Sequence, residues 1–331
     1  MSRLPAAAQA LNGERGRHDL DAVNARRERA AYALLMVPAG TQPAPTHVIA
    51  HLSDMHLIAG DALLHGHIDT VAQLRKALTR VEQSAQHFDA LVLSGDLTDQ
   101  GQPEAYALLR EIVEPVAERL EAPVIMTGGN HDERRALAQG LYGVDSDEPQ
   151  DAVTMVRGLR IITMDSALPG FHHGGFSDAQ YDWLSRQLGQ PAEYGSIVVM
   201  HHPPIRYRSP LMQLLDFEDV PRLRAALEDT DVRAILSGHL HVTSFGTLGT
   251  IPVFVAGGVS YVDDAGVPRE LLMGVDGPQS WNLIEVHADG VLGTVAPVEQ
   301  HKSWPAINED VIEYLGTVPQ DQRRTIFSTK R

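Results

Sequence analysis

The stretch His47-Val48-Ile49-Ala50-His51-Leu52-Ser53-Asp54-Met55-His56 decides how this chain folds. Its first six residues form a short apolar run opened by Pro45 and Thr46, the pattern of a buried strand. The next four place a carboxylate and an imidazole directly after that strand. The same arrangement recurs four times. Ala90 to Leu93 runs into Ser94-Gly95-Asp96, and Val124 to Met126 runs into Gly128-Gly129-Asn130-His131-Asp132. Ile197 to Met200 runs into His201-His202, and Val232 to Leu236 into Gly238-His239-Leu240-His241. Leu159 to Met164 and Val253 to Val255 are further strand candidates. Between strands, Val71, Leu74, Leu78, Val81 and Ala85 fall on one helical face, and Ser177 with Gln180 forms a capping box before a helix ending near Gly189. Strands alternating with helices predict an α/β fold with parallel strand pairing. Beyond Gly257 the pattern changes: Trp281 to Val286 and Val291 to Val295, joined through Asp289-Gly290, read as a hairpin.

In open α/β sheets ligands bind at the carboxyl ends of the strands, so Asp54, His56, Asp96, Asn130, His201, His239 and His241 are expected to converge. Thirteen of the 16 histidines lie between His47 and His241, the part of the chain that carries these strand ends. Imidazole, carboxylate and amide donors without thiolate suit Mn, Fe or Zn. Seven ligands exceed the needs of one ion and suit two, provided a carboxylate bridges. Two cations ~3.5–4 Å apart clamp a phosphate and generate hydroxide near neutral pH. Isolated histidines such as His51, His65, His67 and His87 read instead as surface or core residues.

The 331 residues are 43% hydrophobic and 21% charged, the proportions of an ordinary soluble globular protein. Cysteine is absent, which excludes disulfides, thiolate metal sites and Cys nucleophiles and fits a reducing cytoplasm. The net charge of −16 argues against holding long nucleic acids, so an anionic substrate needs a local positive focus that bound cations would supply. No apolar run reaches the ~18–20 residues of a membrane span. Ala30 to Val37 follows Arg26, Arg27 and Arg29 but starts late and lacks a convincing cleavage site, so it is not read as an export signal. The expected organisation is a basic N-terminal arm over 1–45, a catalytic domain over 46–298 and a C-terminal extension over 299–331. No Gly-x-Ser-x-Gly elbow, Walker A loop or Gly-x-Gly-x-x-Gly fingerprint is present.

Together, Asp54-x-His56, Gly95-Asp96, Gly129-Asn130-His131-Asp132, His201 and Gly238-His239-x-His241 resemble the complete signature of the calcineurin-like metallophosphoesterases, over about residues 46–260. The flanks Ile49 to Leu57, Pro169 to Gly174 and His201 to Ile205 most resemble the class III cyclic-nucleotide phosphodiesterases of bacteria. The resemblance implies a four-layer αββα sandwich, two mixed β-sheets flanked by helices. It implies one ion held by Asp54, His56, Asp96 and His241 and a second held by Asp96, Asn130, His201 and His239, with Asp96 bridging. It implies that His131 faces the substrate, that Asp99 orients it, and that His56, Asn130 and His241 also border the substrate. Asp99 stands where purple acid phosphatases carry a metal-binding Tyr. Gln100 and Asp132 depart from the protein phosphatase strings. The expected activity is hydrolysis of cAMP or cGMP to the 5′-monophosphate by a metal-bridging hydroxide, in a cytoplasmic protein that the resemblance suggests is a homodimer. A broader phosphodiesterase acting on glycerophosphodiesters or 2′,3′-cyclic nucleotides is the alternative, and a non-catalytic scaffold is a third reading. Residues 171–176, 203–212 and 257–264 are candidate walls of a base pocket.

Overall fold

The computed structural model describes residues 43–84, 86–305, 307 and 309–329. All but the last three residues of the expected arm, the Ala30 to Val37 run and Ala85 lie outside them. The body spans residues 45–300, and a second unit contributes two C-terminal helices, Glu309–Thr317 and Gln320–Ser328. No helix among the described residues is long and apolar enough to cross a membrane.

The body is built on two mixed sheets. The first contains β1 (His47–Leu52), β2 (Ala90–Ser94) and β3 (Val124–Thr127), parallel to one another. The second contains β4 (Ala152–Val156), β5 (Leu159–Met164), β6 (Ser196–Met200), β7 (Val232–Ser237), β8 (Ser244–Leu248) and β9 (Ile251–Val255). Their spatial order is β4-β5-β6-β7-β9-β8, and the four central strands run parallel. A small ribbon, β10 (Val262–Asp263) with β11 (Gly274–Val275), stands apart. The predicted hairpin is β12 (Ser280–Val286) and β13 (Val291–Pro297), which extends the first sheet in the order β13-β12-β1-β2-β3.

Three apolar clusters define four layers. Helices α1 (Thr70–Gln83) and α2 (Pro103–Leu120) pack Leu74, Leu78, Leu109 and Val113 against Ala50, Leu52, Leu91 and Leu93 of the first sheet. The opposite face of that sheet, Ile49, Val92, Ile125 and Ile284, meets Ile161, Ile197, Val199 and Leu236 of the second. The second sheet then packs Ile162, Val198 and Ile235 against Tyr181 and Leu184 of α3 (Asp178–Gln187) and Leu223 and Leu227 of α4 (Val220–Leu227). Alternate residues of each central strand thus enter different clusters, which is why the strands read as continuous apolar runs. Each fully buried large aliphatic contributes about 1.5–3 kcal/mol of transfer free energy. The capping box predicted at Ser177 and Gln180 is formed.

Register brings the strand ends to one edge. Leu52 pairs with Leu93, and Leu93 with Met126; across the second sheet Val199 pairs with Leu236. The two sheets are tied at that edge, where Val259 N donates to Ser53 O at 3.0 Å and Thr127 Oγ1 to Met164 O at 3.2 Å.

Candidate metal centre

Each strand end reverses sharply to aim its side chain. Ten described non-glycine residues have positive φ, and five of them are expected ligands: Asp54 (57°), His56 (45°), Asp96 (45°), His239 (71°) and His241 (51°). Left-handed backbone at such residues costs on the order of 1–3 kcal/mol each, and such strain clusters at functional sites. Glycines make the close approaches possible. A Cβ at Gly238 would overlap Ser53 Oγ and sit 2.6 Å from Asp54 Oδ2. A Cβ at Gly95, where φ is 100°, would lie 2.5 Å from His201 Nδ1.

Residues from both sheets meet here. One ligand atom each from Asp54, His56, Asp96 and His241 lies within 4.8 Å of the others, and all four residues are buried. Asp96 Oδ2 sits 3.4 Å from His56 Nε2 and 3.3 Å from His201 Nε2, between the two ligand sets. The His201 and His239 rings are 5.1 Å apart, and the His239 amide donates to both Asp54 oxygens at 3.0 and 3.1 Å. Asn130 directs Nδ2 to His172 Nδ1 at 3.0 Å, and the His131 amide donates to Asp96 Oδ1 at 2.9 Å.

Hydrogen bonds fix every imidazole. Because a carbonyl or carboxylate only accepts, the bonded ring nitrogen carries the proton and the other is left with its lone pair. His56 Nδ1 donates to Asp99 Oδ1 at 3.0 Å, His241 Nδ1 to Tyr261 O at 3.1 Å and His201 Nδ1 to Ser94 O at 2.9 Å. His239 reverses the pattern, donating from Nε2 to Leu215 O at 2.9 Å and leaving Nδ1 available. The unprotonated Nε2 atoms of His56 and His241 consequently face each other at 3.0 Å. His201 Nε2 and Asn130 Oδ1 are buried without a hydrogen-bond partner. The opposed lone pairs of His56 and His241 and the orphaned Asn130 Oδ1 are unfavourable unless a cation lies among them, and a cation can replace a proton on His201 Nε2, 3.3 Å from Asp96 Oδ2, so the residues fit divalent metal ions.

The charges are strongly coupled. Burial pushes the Asp54 carboxyl up to about 6. Burial also opposes ionisation of Asp96, but the imidazoles of His201 and His56 outweigh it and hold its carboxyl well below the usual range. For His201 the balance runs the other way: burial lowers it, and Asp96 and Asp54 push it up to about 9. Burial brings His241 down to about 4.

Asp99 holds two histidines by different groups. Its carbonyl accepts from His131 Nδ1 at 3.0 Å, whereas its carboxylate Oδ1 is 3.0 Å from His56 Nδ1 and 3.5 Å from His131 Nδ1. The expected His-Asp pairing of His131 with Asp99 thus runs chiefly through the main chain, and the carboxylate serves His56. His131 keeps about a third of its side chain exposed. It lines a cavity of ≈590 Å³ with Asn130, His172, His239 and His241.

Sequence reasoning missed some participants. His65, set aside as an isolated histidine, lines the cavity, as does Leu215, three residues past the longest candidate wall. Tyr261, inside a candidate wall, stacks on His241 with ring centroids 4.0 Å apart. His51, His67 and His87 do not line it; His51 is buried and its Nε2 bonds Ser94 Oγ at 2.8 Å.

Residues 47–243 match the family described as calcineurin-like phosphoesterase. The chain belongs to that family. Among calcineurin-like phosphoesterases and related proteins, it is 42% identical over 268 residues to a probable cyclic nucleotide phosphodiesterase of Rhodococcus erythropolis, covering 81% of this chain and 89% of that protein. It is 41% identical over 261 residues to a cAMP/cGMP dual specificity phosphodiesterase of Mycobacterium tuberculosis, covering 78% and 82%. The structure resembles that of a dimetal phosphatase from Danio rerio, with a TM-score of 0.54 at 14% identity, covering 77% of this chain and 98% of that one. That likeness confirms the fold of the family.

Proposed function

We propose that the protein is a dinuclear metal-dependent phosphodiesterase that opens a 3′,5′-cyclic nucleotide to the 5′-monophosphate. The observation that carries the reading is Asp96 Oδ2, placed between His56 and His201, the position of a bridging carboxylate. The names of the two bacterial relatives support the substrate class. Asp54, His56, Asp96 and His241 would hold one ion, and Asp96, Asn130, His201 and His239 the other; Mn, Fe and Zn suit these nitrogen and oxygen donors. Bound ions would neutralise phosphate charge and provide an activated water near neutral pH.

The remaining work falls to the chain's own side chains. His131, anchored at Nδ1 by Asp99, presents Nε2 to the cavity and, when protonated, gives its proton to the leaving 3′-oxygen as the P–O3′ bond breaks. His172 steers the Asn130 amide group, and the His131 amide holds Asp96 Oδ1 in place. The reading is tested by loading purified protein with manganese, iron or zinc and comparing kcat/KM for cAMP, cGMP, a glycerophosphodiester and bis(4-nitrophenyl) phosphate. A cyclic nucleotide is expected to lead; a leading glycerophosphodiester would move the assignment to that class, and inertness towards all four would refute it. We also propose a cytoplasmic homodimer, which sedimentation and cell fractionation would test.

A further inference from the structure

Asp263 stands at one edge of the metal cavity with an unengaged carboxylate. It lies on β10 and its amide donates to the His241 carbonyl at 3.2 Å. Its half-buried carboxylate makes no hydrogen bond or ion pair among the described residues. A carboxylate only accepts hydrogen bonds and repels a neighbouring phosphate, so its place here calls for a donor brought by something else.

The space beside it mixes apolar side chains with a few polar ones. Asp263, Met212 and Leu272 line both the metal cavity and an adjoining recess of ≈240 Å³. Leu271, Met273 and Phe245, each about half exposed, supply apolar walls of that recess, and Arg206, Arg208 and Asp264 border it as well. Small-molecule sites commonly measure ~300–1,000 Å³ and combine apolar walls with a few placed polar groups. The recess is below that range alone, so it works as an annex of the cavity.

We propose that this annex holds the base of a nucleotide whose phosphate lies in the metal cavity, and that Asp263 selects guanine. The guanine edge offers two adjacent donors, N1–H and N2–H, which a carboxylate accepts together. The adenine edge offers one amino group beside an acceptor nitrogen, which faces the carboxylate unfavourably. This assignment deepens the phosphodiesterase reading and rests on it for the position of the phosphate.

Binding and turnover test it separately. Metal-loaded wild type and Asp263→Asn are titrated with GMP and AMP, and kcat/KM is measured for cGMP, cAMP and bis(4-nitrophenyl) phosphate. Wild type is expected to bind GMP at least tenfold more tightly than AMP. Asp263→Asn should lower the GMP-to-AMP affinity ratio and the cGMP-to-cAMP kcat/KM ratio by roughly ten- to hundredfold, the loss of a hydrogen bond to a charged group. A purely structural role would lower both nucleotides together and leave the ratios in place. Leu271→Trp, which narrows the annex and keeps the Asp263 carboxylate, should raise KM for both cyclic nucleotides relative to bis(4-nitrophenyl) phosphate, and keeps the test open if Asp263→Asn does not fold. Equal GMP and AMP affinities in wild type, ratios unmoved by Asp263→Asn, or a parallel change of all three esters in Leu271→Trp would each overturn the annex. Discrimination of GMP from AMP that depends on Asp263 in a protein inert to every ester would support the annex and refute the catalytic reading.

Discussion

At the scale of single residues, the proposed function separates groups that would hold cations from groups that would meet substrate. Asp96 Oδ2 lies between His56 and His201, whereas the His131 ring is tied at Nδ1 to the Asp99 carbonyl and packs edge-on against His56. His131→Ala is therefore expected to retain two metals per chain and lose ~10²–10⁴-fold in kcat, the usual contribution of a positioned proton donor. Asp96→Ala should lose metal as well, and elemental analysis of the two variants distinguishes them. Equal metal loss would contradict the division. Asp99→Ala should resemble a ligand defect more than a His131 defect, because its carboxylate fixes His56 while its carbonyl remains for His131. A roughly 10–100-fold weaker metal affinity is expected, the common effect of removing a ligand's hydrogen-bond partner. A proton count gives a further check. In the metal-free protein His201 is held at about 9 by Asp96 and Asp54, so it is protonated at pH 7 and must release that proton to bind a cation. Metal affinity should rise about tenfold per pH unit between pH ~6 and pH ~9, more steeply below pH ~6 where Asp54 must also lose a proton, and then level. Calorimetry in buffers of different ionisation enthalpy should detect the released proton at pH 7, and His201→Gln should abolish it.

At the scale of elements, Asp132 joins the turns that follow β2 and β3. Its carboxylate accepts from the amides of Leu97, Thr98 and Gly129 at 3.0, 3.1 and 2.9 Å, and from Thr98 Oγ1 and Tyr106 Oη at 3.1 and 2.9 Å. Asp132→Asn would turn an amino group towards at least one of these donors, so it is expected to lose about 2–4 kcal/mol of stability, nearly as much as Asp132→Ala. Denaturant midpoints would show this, and a near-neutral Asn variant would refute the role. The turn positions were legible from the sequence because β2, β3, β6 and β7 are largely apolar, so each run gives way visibly to the first Asp, Asn or His, whereas β1 carries His47 and His51 within it and is marked by the Ser53-Asp54 that follows. The edge strands β4 and β8 were not legible: Thr154, Met155, Phe245 and Thr247 alternate in exposure without a clean polar face. Nor did the sequence disclose the left-handed backbone at His239 and His241, since His also occurs in ordinary extended chain. The double service of Asp99 and the placing of Asp263 beside the cavity depend on distances between turns that no local pattern encodes. The layering came from resemblance, because a strand count does not say which faces pack together.

At the scale of the whole body, the ligands divide between the two sheets. Asp54, His56, Asp96 and Asn130 follow strands of the first, and His201, His239 and His241 follow strands of the second. Bound cations would therefore cross-link two layers that otherwise meet through Ile49, Val92, Ile197, Leu236 and their neighbours, with bonds such as His201 Nδ1 to Ser94 O. A ligand that binds only the folded state stabilises it by about 2.7 kcal/mol when present at 100 times its Kd, and two ions double that figure. For a body of this size each kcal/mol moves Tm by about 2–4 °C, so chelation should lower Tm by on the order of 10–20 °C. The unfolding should remain one transition, because both sheets share the central cluster. Ile197→Ala, a cavity in that cluster, should cost about 2–5 kcal/mol with or without metal. The metal increment should persist in this variant, since separated sites contribute additively. Calorimetry of the four states checks the scheme: two resolved transitions after chelation, or a Tm indifferent to the chelator, would show that the ions do not bridge the layers.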